Sequence, residues 1–202
     1  MSFPIISEQF PLILASGSPR RKRLLTQLGL PFRSVKSRVR EEEVCSEPRE
    51  ASRLLAEKKA AQVYPAMDPA WVLGADTIVA VDNKMLGKPK GEEEAREMLF
   101  LLSGKEHRVI TGFCVLNPSG ARAHSEAVTT LVRFKRLTNR EVEGYIKTGE
   151  HSGKAGSYAI QGMGAFMVES ISGSYTNVVG LPLCALIKAL VEVGALKEFP
   201  LR

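Results

Sequence analysis

The carboxylate of Asp76 lies where the sequence otherwise predicts only buried apolar side chains. The run Trp71–Val81 is apolar on both sides of it. Burying a carboxylate is costly unless it is paired, hydrogen-bonded or bound to a metal, although an aspartate that caps a strand end needs no further role. Gly74 and Thr77 favour a functional role, because the glycine leaves room for a ligand and the threonine adds a hydroxyl donor. Asp76 is therefore predicted to act as a general base toward water or to ligate Mg²⁺.

The positive charge of the chain is concentrated in one segment. The 202 residues include 28 Lys and Arg against 22 Asp and Glu, a net charge of +6. Eight cations and no acidic residue lie between positions 20 and 40, namely Arg20, Arg21, Lys22, Arg23, Arg33, Lys36, Arg38 and Arg40. The rest of the chain is slightly negative, with 20 basic and 22 acidic residues. Such a field attracts phosphate on a nucleotide, a nucleic acid or a membrane surface, although most charge runs are only solvated faces.

This basic segment begins at a turn between a predicted strand and a predicted helix. Pro11–Ala15 is a short apolar run typical of a buried strand, and small residues follow it. Ser18 is a candidate N-cap, and Pro19 suits the first helical position, where its missing N–H costs nothing. The free N–H groups and the positive dipole end of this helix form an anion site. Arg20 and Arg21 add positive charge at the same place.

Three further patterns are weaker. Lys88 stands in the rigid sequence Gly87-Lys88-Pro89, which suits a phosphate-binding lysine, but the spacing alone favours a solvated loop. Glu41–Glu43 directly follows the basic segment, so that a metal ligand and an ordinary acidic helix lead-in are equally consistent with it. The glycine-studded stretch Gly153–Gly164 contains Lys154 and Gln161, whose amide has the donor and acceptor needed to read a base edge.

The pattern of apolar and turn residues predicts one mixed α/β domain. The predicted strands cover residues 11–15, 32–39, 71–81, 108–116, 127–134 and 165–170, with a hairpin at Asn117–Gly120. The predicted helices begin at Pro19, ending before Gly29, and cover 49–63, 92–102, 138–146 and 183–193, with Thr138 and Glu141 forming a capping box.

Composition excludes several classes of protein. The chain is 44% hydrophobic and 25% charged, as expected of a globular protein and not of a disordered one. It has no apolar run near the ~20 residues of a membrane span, and its first residues do not form a signal-peptide pattern. Three widely spaced cysteines suit a reducing cytoplasm, and the three histidines lack zinc-ligand spacing. The common NTPase, dinucleotide-binding, zincin and hydrolase motifs are absent.

Six ordered blocks of the sequence resemble the Maf family of nucleoside triphosphate pyrophosphatases. The opening block, Leu12–Leu25, resembles the family pattern S-x-S-P-R-R-x-x-L-L. The later blocks are Gly74–Thr77, Gly87–Pro89, Leu102–Gly104 with His107 and Thr111-Gly112, Lys154–Gly156 with Ile160–Gly162, and Val179–Pro182. The resemblance runs over nearly the whole chain, from Leu12 to the C-terminal helix.

The resemblance implies a single Maf-like domain over residues 1–202, an elongated mixed sheet with flanking helices and a central cleft between two lobes, related to the inosine triphosphate pyrophosphatases. It implies hydrolysis of a nucleoside triphosphate between the α and β phosphates, with a divalent metal. Asp76 matches the family's proton acceptor. Arg20, Thr77 and Gln161 match positions associated with selecting the base. The block Lys154–Gly162 resembles the branch that acts on dTTP and UTP as house-cleaning enzymes, whereas the 7-methyl-GTP branch typically has tryptophan at the position of Arg20.

On this basis the triphosphate is expected to be held by the helix N-terminus and its arginines, assisted by Lys59 and Lys88. The predicted substrate-binding residues are Ser16, Ser18, Arg20, Arg21, Lys59, Thr77, Lys88, Lys154 and Gln161. Mg²⁺, Mn²⁺ or Co²⁺ is expected to be bound in part by Asp76 or Glu41. The chain departs from the family pattern at Arg40, where the family has an acidic residue, and at Gly153, where it tends to have aspartate.

A nucleic-acid-binding protein that uses positions 20–40 is the alternative from another class. The pI near 9.3 favours it. Only 6% of the residues are aromatic, there is one Trp, and aromatic residues do not alternate with the clustered cations to stack on bases, which disfavours it. A Maf enzyme with another base preference, such as 7-methyl-GTP, is a further alternative. The sequence leaves open the physiological or modified nucleotide, the metal, a homodimer, and the septum-formation role linked to the family.

Overall fold

The computed structural model describes residues 3–39, 47–66 and 69–200. The strands in these ranges are β1 (Leu12–Leu14), β2 (Phe32–Ser34), β3 (Val72–Val81), β4 (Lys84–Leu86), β5 (Glu106–Leu116), β6 (Arg122–Phe134) and β7 (Val168–Ser172). The α-helices are α1 (Pro19–Gln27), α2 (Pro48–Val63), α3 (Glu92–Leu102), α4 (Asn139–Ile146), α5 (Tyr175–Val179) and α6 (Leu183–Glu192). Single 3₁₀ turns lie at Tyr64–Ala66, Ala155–Ser157 and Met163–Met167.

The seven strands form one mixed sheet, which confirms the predicted α/β class. Its order is β2-β1-β3-β5-β6-β7, with β4 paired to β3. β1 runs parallel to β2 and β3, whereas β4 is antiparallel to β3 and β7 is antiparallel to β6. The chain divides into two compact units. The first consists of Met1–Asp76, Thr111–Val128 and Gly180–Arg202, and the second of Thr77–Ile110 and Thr129–Val179.

In the first unit, helix α2 packs closely on strand β3. The apolar core there is made of Ile13, Ala15, Ala56, Ala60, Val63, Val72, Cys114 and Leu116. A Cβ atom on Gly74 would overlap the carbonyl oxygen of Ala56 and lie 2.8 Å from the amide nitrogen of Ala60. Only a residue without a side chain permits this approach. Asp76 follows two positions later, so it points to the same face of β3 as Gly74, toward α2.

The turn from β1 into α1 forms much as the sequence predicts, with one correction. Ser18 occupies the N-cap position in an extended conformation and Pro19 opens the helix. The predicted N-cap position of Ser18 is confirmed, but its side chain makes no capping hydrogen bond. The hydroxyl oxygen of Ser16 instead accepts a hydrogen bond from the Ser18 amide, at 3.2 Å. The turn is therefore closed by a side chain before the helix rather than at its cap.

The second unit contains a tight hairpin and a helix pair. Asp82 and Asn83 join β3 to β4 with φ of 46° and 62°, the positive values that a type I′ turn requires. The predicted capping box is confirmed, since Thr138 and Glu141 bond each other's backbone amides at the start of α4. Helices α3 and α4 are joined by the ion pair of Arg96 and Glu143, with Nε to Oε1 at 2.6 Å. The ion pair holds α4 beside α3.

Two predicted strands are shorter or shifted in the structure. The strand expected at 32–39 ends at Ser34, and the amide of Arg38 donates to the side chain of Gln62 on α2. The strand expected at 165–170 begins only at Val168, after a 3₁₀ turn. Residues 165–167 belong instead to this 3₁₀ turn, Met163–Met167, whose first two amides donate to a glutamate side chain. No helix among the described residues has the length and hydropathy of a membrane span.

Candidate active site

The carboxylate of Asp76 is buried and paired with a lysine. Only 5% of Asp76 and 8% of Lys59 is exposed. The Nζ atom of Lys59, on α2, donates to Oδ1 of Asp76 on β3. Among the expected phosphate ligands, Lys59 therefore contacts the proposed base itself. The pairing stabilises the buried carboxylate and fixes the direction of its second oxygen, as a residue that orients or deprotonates water requires.

Arg21 is buried beneath the turn that precedes α1, with 8% exposure. Its Nε donates to the carbonyl oxygen of Gly180 at 2.8 Å, and its Nη1 donates to Oγ of Ser16 at 3.1 Å. The carbonyl oxygen of Ser16 accepts from the hydroxyl of Ser34 at 2.7 Å. Arg21 thus holds the turn in place in addition to placing a positive charge behind it. Arg20 is half-buried in the first turn of the helix.

In the second unit, the structure brings three predicted segments together. The amide of Gly156 donates to the carbonyl oxygen of Gly87 at 3.1 Å, which joins the segment of Lys154 to the turn of Lys88. A Cβ atom on Gly156 would lie 3.0 Å from the Val79 side chain of β3. Thr77 lies on the same strand, and it is half-buried. The glycine therefore allows the glycine-studded stretch to approach the strand closely.

Lys154 and Gln161 lie at opposite ends of this stretch and in different environments. The Nζ atom of Lys154 donates to the carbonyl oxygens of Glu150 and Ser152. Its ammonium group is thus turned toward the preceding loop. The side chain of Gln161 is exposed at the start of a turn, as a residue that contacts a ligand should be.

Between these ends, Tyr158 anchors the stretch in the core of the second unit. Its hydroxyl bonds Nε2 of His107 at 2.8 Å, and both rings pack edge-on against Phe134. Burial lowers the pKa of His107 to about 4, so the imidazole is neutral at pH 7. Burial raises the pKa of Tyr158 above its ordinary value, and the nearby Tyr145 raises it further. This neutral pair holds the middle of the stretch without adding charge.

Comparison with known proteins confirms the family that the six sequence blocks indicate. The family model described as Maf-like protein matches residues 11–193. This chain belongs to the Maf family. A Syntrophotalea carbinolica protein named dTTP/UTP pyrophosphatase is 48% identical over 191 residues, which cover 93% of this chain and 87% of the relative. A Halalkalibacterium halodurans protein of the same name is 47% identical over 190 residues, covering 94% of this chain and 99% of the relative.

A further relative and a solved structure are also similar to this chain. The Ruminiclostridium cellulolyticum protein, also named dTTP/UTP pyrophosphatase, is 47% identical over 185 residues, covering 91% of this chain and 96% of the relative. A crystal structure of a nucleoside-triphosphatase, or dITP/XTP pyrophosphatase, from Mycobacterium abscessus matches 63% of this chain and 76% of its own. It has 13% sequence identity to this chain and a TM-score of 0.39.

The metal expected for a Maf protein has one carboxylate ligand candidate within the described residues. Glu41, the other expected ligand, lies outside them, as does the departure at Arg40. Residues 3–39, 47–66 and 69–200 contain no group of three His, Cys, Asp or Glu side chains placed to hold an ion. Mg²⁺ is commonly held by one or two carboxylates together with substrate phosphates, so a single buried carboxylate fits an ion that arrives with the nucleotide.

Sequence reasoning missed two residues that shape this site. Glu150 has no recognisable motif around it, yet its carboxylate accepts hydrogen bonds from the amides of Met163 and Gly164 at 3.1 and 2.9 Å. Gly180, whose carbonyl oxygen accepts a hydrogen bond from Arg21, lies in the block Val179–Pro182, where the sequence indicates no contact for it. A glycine-rich turn with a nearby glutamate is the only local signal that could have indicated Glu150.

Proposed function

We propose that this chain hydrolyses dTTP and UTP to the monophosphate and pyrophosphate. The observation that carries the proposal is the buried carboxylate of Asp76, which is oriented by a hydrogen bond from Lys59. Asp76 lies on β3, which pairs with β1, the strand that leads into the turn at Ser16. The proposal's support from comparison is the name shared by relatives that are 47–48% identical over most of the chain. We further propose that the chain accepts a free nucleotide as its substrate.

In the proposed reaction, water attacks the α phosphorus of the nucleotide. A bond forms between the water oxygen and the α phosphorus, the bond from that phosphorus to the bridging oxygen breaks, and pyrophosphate leaves with the electron pair. Asp76 accepts the proton of the attacking water. Lys59 keeps the carboxylate in one orientation, so little reorganisation is needed when the proton moves.

The turn at Ser16–Ser18 and the first turn of α1 are proposed to bind the phosphates. Backbone amides at a helix N-terminus favour an anion, and Arg20 and Arg21 add positive charge there. Because Arg21 also bonds Gly180 and Ser16, its part is to hold the turn in a binding shape. Lys88 and Lys154 are proposed as further substrate-binding residues.

A divalent cation is also proposed, with Asp76 as its ligand among the described residues. When bound, it would neutralise the charge on the phosphates and on the leaving pyrophosphate. Arg20, Thr77 and Gln161 are proposed to select the base, with the exposed amide of Gln161 reading its edge. A reducing cytoplasm stays a prediction from cysteine usage.

Replacement of Asp76 by asparagine tests the proposal directly. Asp76→Asn keeps the shape of the side chain and removes its ability to accept a proton. We expect pyrophosphate release from dTTP and UTP to fall by about 10²- to 10⁴-fold, the usual contribution of a general base. Release would be measured with Mg²⁺, Mn²⁺ and Co²⁺ across canonical and modified triphosphates. Wild-type turnover in Asp76→Asn would contradict the assignment.

The matched control is Asp82→Asn. Asp82 lies in the exposed hairpin turn and pairs with Lys105 at 2.6 Å, and asparagine tolerates its positive φ. This variant should retain the turnover of the wild type and its free energy of unfolding. Salt-dependent binding of a random oligonucleotide, without release of pyrophosphate from any triphosphate, would instead support the nucleic-acid-binding alternative.

A further inference from the structure

The turn that carries Gln161 is held by hydrogen bonds from its backbone to the carboxylate of Glu150. Oε1 of Glu150 accepts a hydrogen bond from the amide of Met163 at 3.1 Å, and Oε2 accepts one from the amide of Gly164 at 2.9 Å. The turn itself is closed by a hydrogen bond from the amide of Ala165 to the carbonyl oxygen of Gly162. A side chain from the loop that follows α4 therefore fixes two successive backbone amides just after Gln161.

Gly162 is glycine because this carboxylate occupies the space of a side chain. A Cβ atom on Gly162 would overlap the Glu150 carboxylate. The backbone itself does not demand glycine, since φ is −120°. Alanine at this position would therefore displace the carboxylate from the two amides that it holds, without straining the backbone.

Tyr145 connects Glu150 to the other side of the same stretch. Its buried hydroxyl accepts from the amide of Ala159 at 3.2 Å. Burial acts to raise the pKa of Glu150, but hydrogen bonds from the Gly164 amide, the Tyr145 hydroxyl and the Met163 amide lower it overall. The carboxylate thus bonds backbone beyond Gln161, and Tyr145 bonds backbone before it.

We propose that Glu150 is a positioning residue that sets base discrimination by fixing the turn of Gln161. The inference rests on the proposed function, in which Gln161 reads the base. A side-chain amide discriminates between bases only if its donor and acceptor are held at hydrogen-bond distance and angle. Gln161 is exposed, so packing of its own side chain does not hold it. The orientation of its backbone, set by Glu150, must do so.

The first test compares three variants in pyrophosphate release from dTTP, UTP and GTP. Glu150→Gln keeps the shape but turns an NH₂ group toward one of the two amides, so one hydrogen bond is lost. The ratio of kcat/KM for dTTP over GTP should fall by about tenfold, as in Gln161→Ala, because a lost hydrogen bond to a charged group has an effect of this order. The KM for dTTP should change more than kcat. Glu169→Gln, at an exposed pair with Arg133, should keep the wild-type ratio.

A second set of variants separates positioning from folding. Gly162→Ala should lower the discrimination ratio as Glu150→Gln does, because the new methyl group displaces the carboxylate. Adding Gly162→Ala to Glu150→Ala should cause no further loss, since the carboxylate is already gone. Amide hydrogen exchange at Met163 and Gly164 should speed up in Glu150→Gln while distant helices stay protected. This exchange measurement needs no activity.

The outcomes distinguish this inference from the proposed function. If Gln161→Ala lowers discrimination and Glu150→Gln does not, the role of Glu150 is overturned and the proposed function stands. If neither variant alters discrimination while dTTP is hydrolysed, the reading role of Gln161 and the inference both fail. If the wild type releases no pyrophosphate from dTTP or UTP, the proposed function fails and the specificity role of Glu150 with it. Unchanged exchange at Met163 and Gly164 overturns the anchoring contact itself.

Discussion

At the scale of single residues, Arg21 shows how a charge predicted to bind phosphate is also used for structure. The sequence placed it in a basic segment at a helix N-terminus, where a solvated cation would suffice. In the structure its guanidinium bridges the Gly180 carbonyl and the Ser16 hydroxyl. The planar fork of arginine can make both bonds at once, which the single ammonium group of lysine does not reproduce.

We predict that Arg21→Lys raises the KM for dTTP and destabilises the protein. The positive charge remains, but the two hydrogen bonds made by Nε and Nη1 cannot both form. Each net hydrogen bond contributes about 0.5–1.5 kcal/mol, so a loss of about 1–3 kcal/mol in the free energy of unfolding is expected in urea. Arg23→Lys, exposed on the same helix, is the matched control and should change this free energy by less than about 0.5 kcal/mol. Equal stability of the two variants would contradict the bridging role.

At the scale of secondary structure, the approach of α2 to β3 decides where Asp76 meets Lys59. The two residues are 17 positions apart in the chain. Gly74 lets the helix lie against the strand, since its missing side chain leaves space for the Ala56 carbonyl and the Ala60 amide. The geometry of the Asp76–Lys59 pair thus depends on a residue that bears no functional group.

We predict that Gly74→Ala lowers both turnover and stability. The added Cβ would push α2 away from β3 and draw Lys59 away from Asp76, at a cost of about 1–3 kcal/mol for an overpacked contact. Pyrophosphate release and urea unfolding would be measured on the same preparation. Gly144→Ala makes the same change on the exposed face of α4, where nothing lies within 4 Å of the new atom. It should instead stabilise the protein by about 0.5–1 kcal/mol, and a Gly74→Ala variant that behaves like it would refute the close-approach argument.

At the scale of the whole molecule, a buried neutral histidine links stability to pH. The pKa of His107 is lowered to about 4 by burial, from an ordinary value of 6.5. Between these two values the unfolded chain binds a proton that the folded chain does not. The contribution of His107 to the free energy of unfolding is therefore complete above about pH 6.5 and is lost as the pH falls toward 4. The pKa of Glu141 is lowered to about 2, chiefly by its hydrogen bond with Lys135. Its contribution to stability is complete above its ordinary pKa of 4.5 and is lost only as the pH falls from there toward 2, so it affects a more acidic range.

We predict that the wild type loses about 2 kcal/mol of its free energy of unfolding between pH 8 and pH 5 through His107. His107→Gln keeps a polar group beside Tyr158 and removes the titration, so its loss over the same range should be much smaller. Urea unfolding at half-unit pH steps measures both. His124→Gln, which keeps His107, should retain the full loss. A parallel pH profile for His107→Gln and the wild type would show that the histidine is not the coupled group.

The amino-acid sequence by itself determined the class of fold, the bounds of α3 and α4, the hairpin at Asn117–Gly120 and the family. These follow from local patterns, because helix periodicity, a capping box and turn residues act over a few positions. Asp76 could be selected for the same reason: its apolar neighbours predict burial, and burial of a carboxylate implies a partner.

Only the tertiary structure decided what those residues contact. The pairing of Arg21 with Gly180 joins positions 159 residues apart, and no local pattern encodes it. The hold of Glu150 on Met163 and Gly164 likewise depends on how a loop folds back, at the 3₁₀ turn that stands where the start of a strand was predicted. The packing of helix on strand and loop on loop selects such partners, since only the folded chain brings their donors and acceptors within hydrogen-bond distance.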